Sequence, residues 1–175
     1  MTNQSKGCTV WFTGLSGSGK TTVCLAVQAA LAVQGIRVVL LDGDDLRRTL
    51  NADLGFSRED RDKNVRRIGM VADILTRQGF VVLVAAISPY RAVREEVRQK
   101  IGRFIEVYMN VPLEVCERRD TKGLYRKARA GEIAGFTGID DPYEAPDIPD
   151  IEIYSSASVM QSVDLVMGIV WGLYT

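Results

Sequence analysis

Apolar runs alternate with amphipathic stretches along this chain. The runs at 8–13, 36–41, 80–87, 104–110 and 150–154 are rich in Val, Ile, Leu, Phe and Tyr and predict strands. Between them, 19–34, 45–51, 58–79, 90–102, 112–119 and 158–173 read as helices. In the last of these Val159, Val163, Val166 and Val170 form one stripe, better explained as a core-facing side than as a membrane or partner surface. Strands apolar on both faces and separated by helices imply a parallel sheet covered on each side. The expected fold class is therefore α/β, with a central parallel five-stranded sheet between two helical layers. Ligands of such sheets lie at the carboxyl ends of the strands.

Composition narrows the partners. The 175 residues suit one domain over 1–175, and Lys+Arg equals Asp+Glu at 22 each, so no overall basic field points to nucleic acid or an anionic membrane. A small, locally bound anion fits better. The first residues, Met1-Thr2-Asn3-Gln4-Ser5-Lys6, lack the apolar core of a signal peptide, and the run Val81 to Ile87 is too short to span a bilayer, so a cytoplasmic location is expected. Cys8, Cys24 and Cys116 are widely spaced, with no zinc motif around them, and read as buried free thiols.

The chemistry starts at Gly14-Leu15-Ser16-Gly17-Ser18-Gly19-Lys20-Thr21, which fills the pattern G-x-x-x-x-G-K-[ST] between a predicted strand and a predicted helix that opens with Thr22. Backbone amides and the helix N-terminus favour phosphate, Lys20 can reach the β and γ phosphates, and the Thr21 hydroxyl can hold Mg²⁺. The expected class is thus a P-loop NTPase fold that binds a nucleoside triphosphate.

After the second strand, Asp42-Gly43-Asp44-Asp45-Leu46-Arg47 places carboxylates and a guanidinium where a phosphoryl acceptor would lie. The chain has no His, so a carboxylate is the natural candidate to take the proton of an acceptor hydroxyl. Asp44 is the first candidate and Asp42 the second; helix capping or support of Mg²⁺ are the other readings at this turn. Ser57 should cap the next helix, whose Arg58, Arg61, Arg66 and Asn64 offer donors to an anion or a solvated charged face, and Phe56 offers a surface for a base. Ser88, in Ile87-Ser88-Pro89-Tyr90-Arg91, could contact substrate, be phosphorylated, or simply cap the helix that follows. Residues 118–138 carry Arg118, Arg119, Lys122, Arg126, Lys127 and Arg129 among Gly123, Gly131, Gly135 and Gly138, which suggests a mobile basic lid. No Asn-Lys-x-Asp guanine-reading motif argues for a nucleotide switch.

In combination, FTGLSGSGKT at 12–21, DGDDLR at 42–47, NADLGFSREDRDKNVRRIG at 51–69, ISPYR at 87–91 and VYMNVPLEVCERRDTKGLYRKARAGEIAGFTGIDDPYEAP at 107–146 resemble the adenylylsulfate (APS) kinases. The resemblance implies phosphate transfer from ATP, with Mg²⁺, to the 3′-hydroxyl of APS, giving 3′-phosphoadenylylsulfate (PAPS). Carried over residue by residue, it assigns Gly14 to Thr21 to ATP and Asp44 to the acceptor hydroxyl. It further makes Arg47, Phe56, Arg58, Arg61, Asn64, Ile87, Ser88, Lys122, Gly123, Leu124 and Phe136 contacts of APS, with Phe56 and Phe136 sandwiching its adenine. Ser88 matches a serine described in the family as a phosphoserine intermediate, although direct transfer is the simpler route. A homodimer and functional coupling to ATP sulfurylase are further implications. Two departures stand out: Asp45 replaces the Asn usual in DGDN, where an added carboxylate could alter Mg²⁺ or substrate affinity, and the chain starts almost directly at its first strand.

Overall fold

A computed structural model describes residues 7–174, so the first six residues, read above for a leader, lie outside it. Five parallel strands, β1 (Cys8–Thr13), β2 (Val38–Asp42), β3 (Val81–Ala85), β4 (Phe104–Asn110) and β5 (Ile151–Tyr154), lie in the order β2-β3-β1-β4-β5. Each predicted strand is present; β1 and β4 keep their expected bounds, and the ends of the other three move by at most two residues. The helices are α1 (Lys20–Val33), α2 (Gly43–Arg48), α3 (Arg58–Arg77), α4 (Arg91–Ile101), α5 (Leu113–Arg119), α6 (Leu124–Arg129) and α7 (Val159–Tyr174). Only α6 falls where no helix was expected.

Alternation along the strands feeds two cores. Cys8, Val10 and Phe12 of β1, with Val81 and Leu83 of β3, face α1 and α7, where Val23, Cys24, Val27 and Leu31 meet Val163, Val166 and Val170. The α7 stripe is thus core at three of its four valines; Val159, in the first turn, is 44% exposed. On the other face Trp11, Val82 and Val84 pack against Val65, Ile68 and Ala72 of α3 and Val93 and Val97 of α4. Gly69 allows the two helices their approach, because a Cβ there would come within 2.8 Å of both Val97 methyls. All three cysteines are buried free thiols, and burial pushes the Cys8 thiol up to about 11. Among the described residues no helix is long and apolar enough to cross a membrane.

β1 lies at the centre of the sheet, flanked by β3 and β4. The chain therefore diverges on either side of the loop that leaves β1, and the crevice between those departures is where a parallel sheet takes its ligand.

Candidate active site

The loop after β1 wraps tightly before α1 begins. Gly14 has φ +148°, and a Cβ on it would stand 2.9 Å from the Met109 carbonyl oxygen of β4, so any side chain would push the loop off the sheet. α1 opens on Lys20 with no acidic residue in its first turn. A cation at the positive end of a helix is unfavourable by itself and makes sense opposite an anion. Lys20 is buried, its Nζ donating to the carbonyls of Gly14 (2.9 Å) and Leu15 (2.7 Å), and desolvation lowers its pKa to about 8.

Asp42 closes β2 and serves two neighbours at once. One carboxylate oxygen accepts the Thr21 hydroxyl proton at 2.7 Å, and the other accepts the Asp44 amide at 2.9 Å as the N-cap of α2. The capping reading therefore falls to Asp42. With its proton turned to Asp42, Thr21 Oγ1 can direct lone pairs at a cation, and an oxygen donor set of this kind suits Mg²⁺. Among the described residues no cluster of three or more His, Cys, Asp or Glu could hold a metal alone, so phosphate oxygens would have to complete its shell. Asp44 projects from α2 into an ion pair with Lys122. Asp45, its side chain 70% exposed, lies outside the cleft but pairs with Arg48, which lines it.

Lys20, Thr21, Asp44 and Lys122 line one cleft of about 800 Å³, whereas Asp42, the second candidate base, and Asp45 do not. Residues 16–22, Asp44, Arg47, Phe56, Arg61, Asn64, Ile87, Ser88, Lys122, Leu124 and Phe136 all reach its wall, whereas Gly14, Leu15, Arg58 and Gly123 do not. Arg58 lies over the Tyr90 ring at 4.3 Å and 3.8 Å from Glu144, which makes it a link between α3 and the start of α4. Ser57 caps α3 as expected, its hydroxyl accepting the Asp60 amide at 3.1 Å. Arg66 pairs with Glu96 at 2.8 Å, the solvated-face alternative. Arg47 stacks 4.6 Å from the Phe56 ring, and burial followed by the like charge of Arg61 lowers its pKa, as expected where cations gather for an anion. Asn51 donates to the Asn64 carboxamide oxygen at 2.9 Å and fixes the rotation of that side chain.

Ser88 is not a helix cap, because Pro89 carries the chain on to Tyr90, which occupies the N-cap of α4. Instead the Ser88 backbone turns to φ +44°, its hydroxyl donates to the Ala86 carbonyl at 3.1 Å, and it accepts the Trp11 indole proton at 2.8 Å. The buried Arg94 donates to the Ser88 carbonyl at 2.6 Å and holds the turn from behind.

The lid segment lies across the P-loop. Tyr125 donates to the Ser16 carbonyl at 2.8 Å and Arg119 to the Gly17 carbonyl at 3.2 Å, over a small apolar cluster of Val111, Cys116 and Tyr125. Of its six basic residues only Arg119 and Lys122 line the cleft; the other four are exposed outside it. The sequence reading gives Arg119 only a place in the basic segment, and it passes over Ser155 and Ala157, which complete the wall from the turn after β5.

Residues 6–154 match the family model for adenylylsulphate kinase. An adenylyl-sulfate kinase from Synechococcus sp. (strain JA-3-3Ab) is 61% identical over 163 residues, 93% of each chain. One from Halothermothrix orenii is 56% identical over 92% of this chain and 86% of its own. The APS kinase of Mycobacterium tuberculosis, solved in complex with AMPPNP and APS, superposes with a TM-score of 0.91 at 50% identity, covering 95% of this chain and 98% of that one. A phosphate-binding loop, a carboxylate turn and an aromatic-lined slot in one cleft, under a sequence this close to those enzymes, place the chain in the adenylylsulphate kinase family.

Proposed function

We propose that this protein transfers the γ-phosphoryl group of ATP to the 3′-hydroxyl of APS, giving PAPS and ADP. What supports the reading is one cleft in which the P-loop and the acceptor-side residues Asp44, Phe56 and Phe136 all reach the wall. ATP phosphates lie along Ser16 to Thr22, in the loop that Gly14 and Leu15 begin, and Lys20 exchanges its carbonyl partners for them. Thr21, backed by Asp42, would hold Mg²⁺, which would supply charge neutralisation on the phosphates. APS enters opposite, its adenine between Phe56 and Phe136 and its anionic end toward Arg47 and Asn64, with Ile87, Ser88 and Leu124 closing the wall.

Asp44 takes the 3′-hydroxyl proton as the new P–O bond forms and the bond between the γ-phosphorus and the β–γ bridging oxygen breaks. Lys122 pairs with Asp44 and keeps it near the cleft until the acceptor arrives. Transfer is direct. A covalent route would need the Ser88 hydroxyl to leave both Ala86 and Trp11 in a backbone turn held by Arg94, whereas in-line transfer needs only the two substrates positioned. The same reading carries a cytoplasmic homodimer, coupled through its substrate to ATP sulfurylase.

A screen of acceptors with ATP and Mg²⁺ tests the assignment. The expected outcome is a kcat/KM for APS far above those for adenylate, shikimate and gluconate. Absence of APS turnover defeats it, and nucleotide binding without any acceptor-dependent turnover would favour a switch.

A further inference from the structure

Phe136 stands at the far end of the lid segment, on a turn closed by its own hydrogen bonds. The Asp140 carboxylate accepts the amides of Gly135 (2.7 Å) and Phe136 (2.5 Å), and the Phe136 carbonyl accepts those of Ile139, Asp140 and Asp141. Arg61 fastens that turn to α3. Its Nη1 donates to Thr137 Oγ1 at 2.8 Å and its Nη2 to the Gly135 carbonyl, so the neighbours of Phe136 on either side hang from one guanidinium. The Nε of the same group donates to the carbonyl of Phe56 at 2.9 Å. One buried side chain thus joins the backbones that carry both aromatic residues of the cleft.

The guanidinium is itself braced. The Asp141 carboxylate lies 3.6 Å from Arg61 Nε and accepts the Tyr90 hydroxyl, 2.9 and 3.1 Å from its two oxygens. Tyr90 is buried at the start of α4, and burial, then this hydrogen bond, raises its pKa, so the phenol keeps its proton. α3, the start of α4 and the end of the lid are therefore linked by charge-assisted hydrogen bonds, which are short and directional.

We propose that Arg61, Thr137, Asp141 and Tyr90 form a positioning clamp that sets the gap between Phe56 and Phe136, and with it the fit of a planar purine base of the acceptor. Stacking between two aromatic faces depends on the gap being held; Arg61 and Thr137 hold it from the cleft wall, and Asp141 and Tyr90 brace them from behind that wall. Asp141 and Tyr90 act only through Arg61 and the turn. The clamp rests on the acceptor reading above for its role in catalysis, but not for its existence as a rigid turn.

Thr137→Val, Asp141→Ala and Asp141→Asn variants test it by steady-state kinetics and by amide hydrogen exchange without substrate. In Thr137→Val and Asp141→Ala the KM for APS is expected to rise about five- to tenfold while that for ATP stays within about twofold. Asp141→Asn keeps an acceptor for Tyr90 and is expected to recover most of the loss. Exchange over 135–141 is expected to quicken about tenfold or more in the first two variants, with α1 unchanged. Faster exchange with an unchanged KM for APS, or an equal rise in both KM values, overturns the positioning role. If the parent enzyme fails to turn over APS, the functional assignment falls alone, and unchanged exchange over 135–141 in the variants is then the result that overturns the clamp.

Discussion

Lys20 illustrates how a single residue carries both cost and function. Buried and held by two loop carbonyls and, at 3.4 Å, the Ser18 hydroxyl, its ammonium has a pKa lowered by desolvation to about 8, against 10.5 for an unperturbed lysine. Below pH 8 it is charged and meets phosphate directly. Above that, nucleotide binding must first recruit a proton, so the Kd for ADP is expected to rise up to about tenfold per pH unit from pH 8 toward the pKa of the bound state. Calorimetric titration from pH 7 to 9.5 checks this, and Lys20→Gln should bind weakly with that step gone. Asp44 and Ser88 separate chemistry from scaffolding in the same way. Asp44→Asn is expected to cut kcat by about 10²–10⁴ as the proton acceptor is lost. Ser88→Ala should keep part of its activity, because the hydroxyl serves Ala86 and Trp11. Full loss with a phosphoserine trapped in the parent enzyme would restore the covalent route.

At the scale of elements, period and punctuation made the sheet, most helices and the P-loop legible. What escaped depends on contacts distant in sequence. α6 is only six residues long and opens after Gly123 in a left-handed turn, so its helical signal is too short to separate from a loop. Strand order is set by how α1, α3 and α4 share the two faces, and no local pattern records it. Ser88 looked like a cap because Ser before a helix usually is one, and only its Trp11 partner, 77 positions away, shows otherwise. Arg58 reads from sequence as an anion donor or part of a solvated face, and its place over the Tyr90 ring, 32 positions away, is not recorded in either pattern. Asp141 and Thr137 sat inside a recognised stretch with no role, since their partner Arg61 belongs to another helix. Gly69 shows the same limit for packing. Its Cβ would strike Val97 across the α3–α4 contact, so Gly69→Ala is expected to cost about 1–3 kcal/mol despite its better helix propensity. A thermal melt with a lower Tm and unaltered KM values checks this, and a stabilised variant would show that α4 yields.

Across the whole molecule, charge is balanced and mostly spent at the surface, where each pair contributes little. Arg61–Asp141 is partly buried, and Arg94–Glu106, whose second carboxylate oxygen also lies 3.6 Å from Arg98, is the most buried of the pairs. It is buried at 2.9 Å, and Arg94 extends it to the carbonyls of Ser88 (2.6 Å) and Glu144 (2.7 Å), so that β4, α4, the Ser88 turn and the segment after the lid meet at one guanidinium. Replacing one partner strands the other charge, and Glu106→Gln is expected to cost about 3–5 kcal/mol. Replacing both removes the desolvation cost together with the attraction, so an Arg94→Met, Glu106→Leu double variant should regain stability to within about 1–2 kcal/mol of the parent. Its turnover should not recover in step, because Met cannot donate to the Ser88 carbonyl and the turn at φ +44° loses its brace. Denaturant melts and APS-dependent turnover on the two variants separate these effects. A double variant both stable and fully active would mean that the buried pair holds only the core and that the Ser88 turn keeps its shape through Trp11 alone.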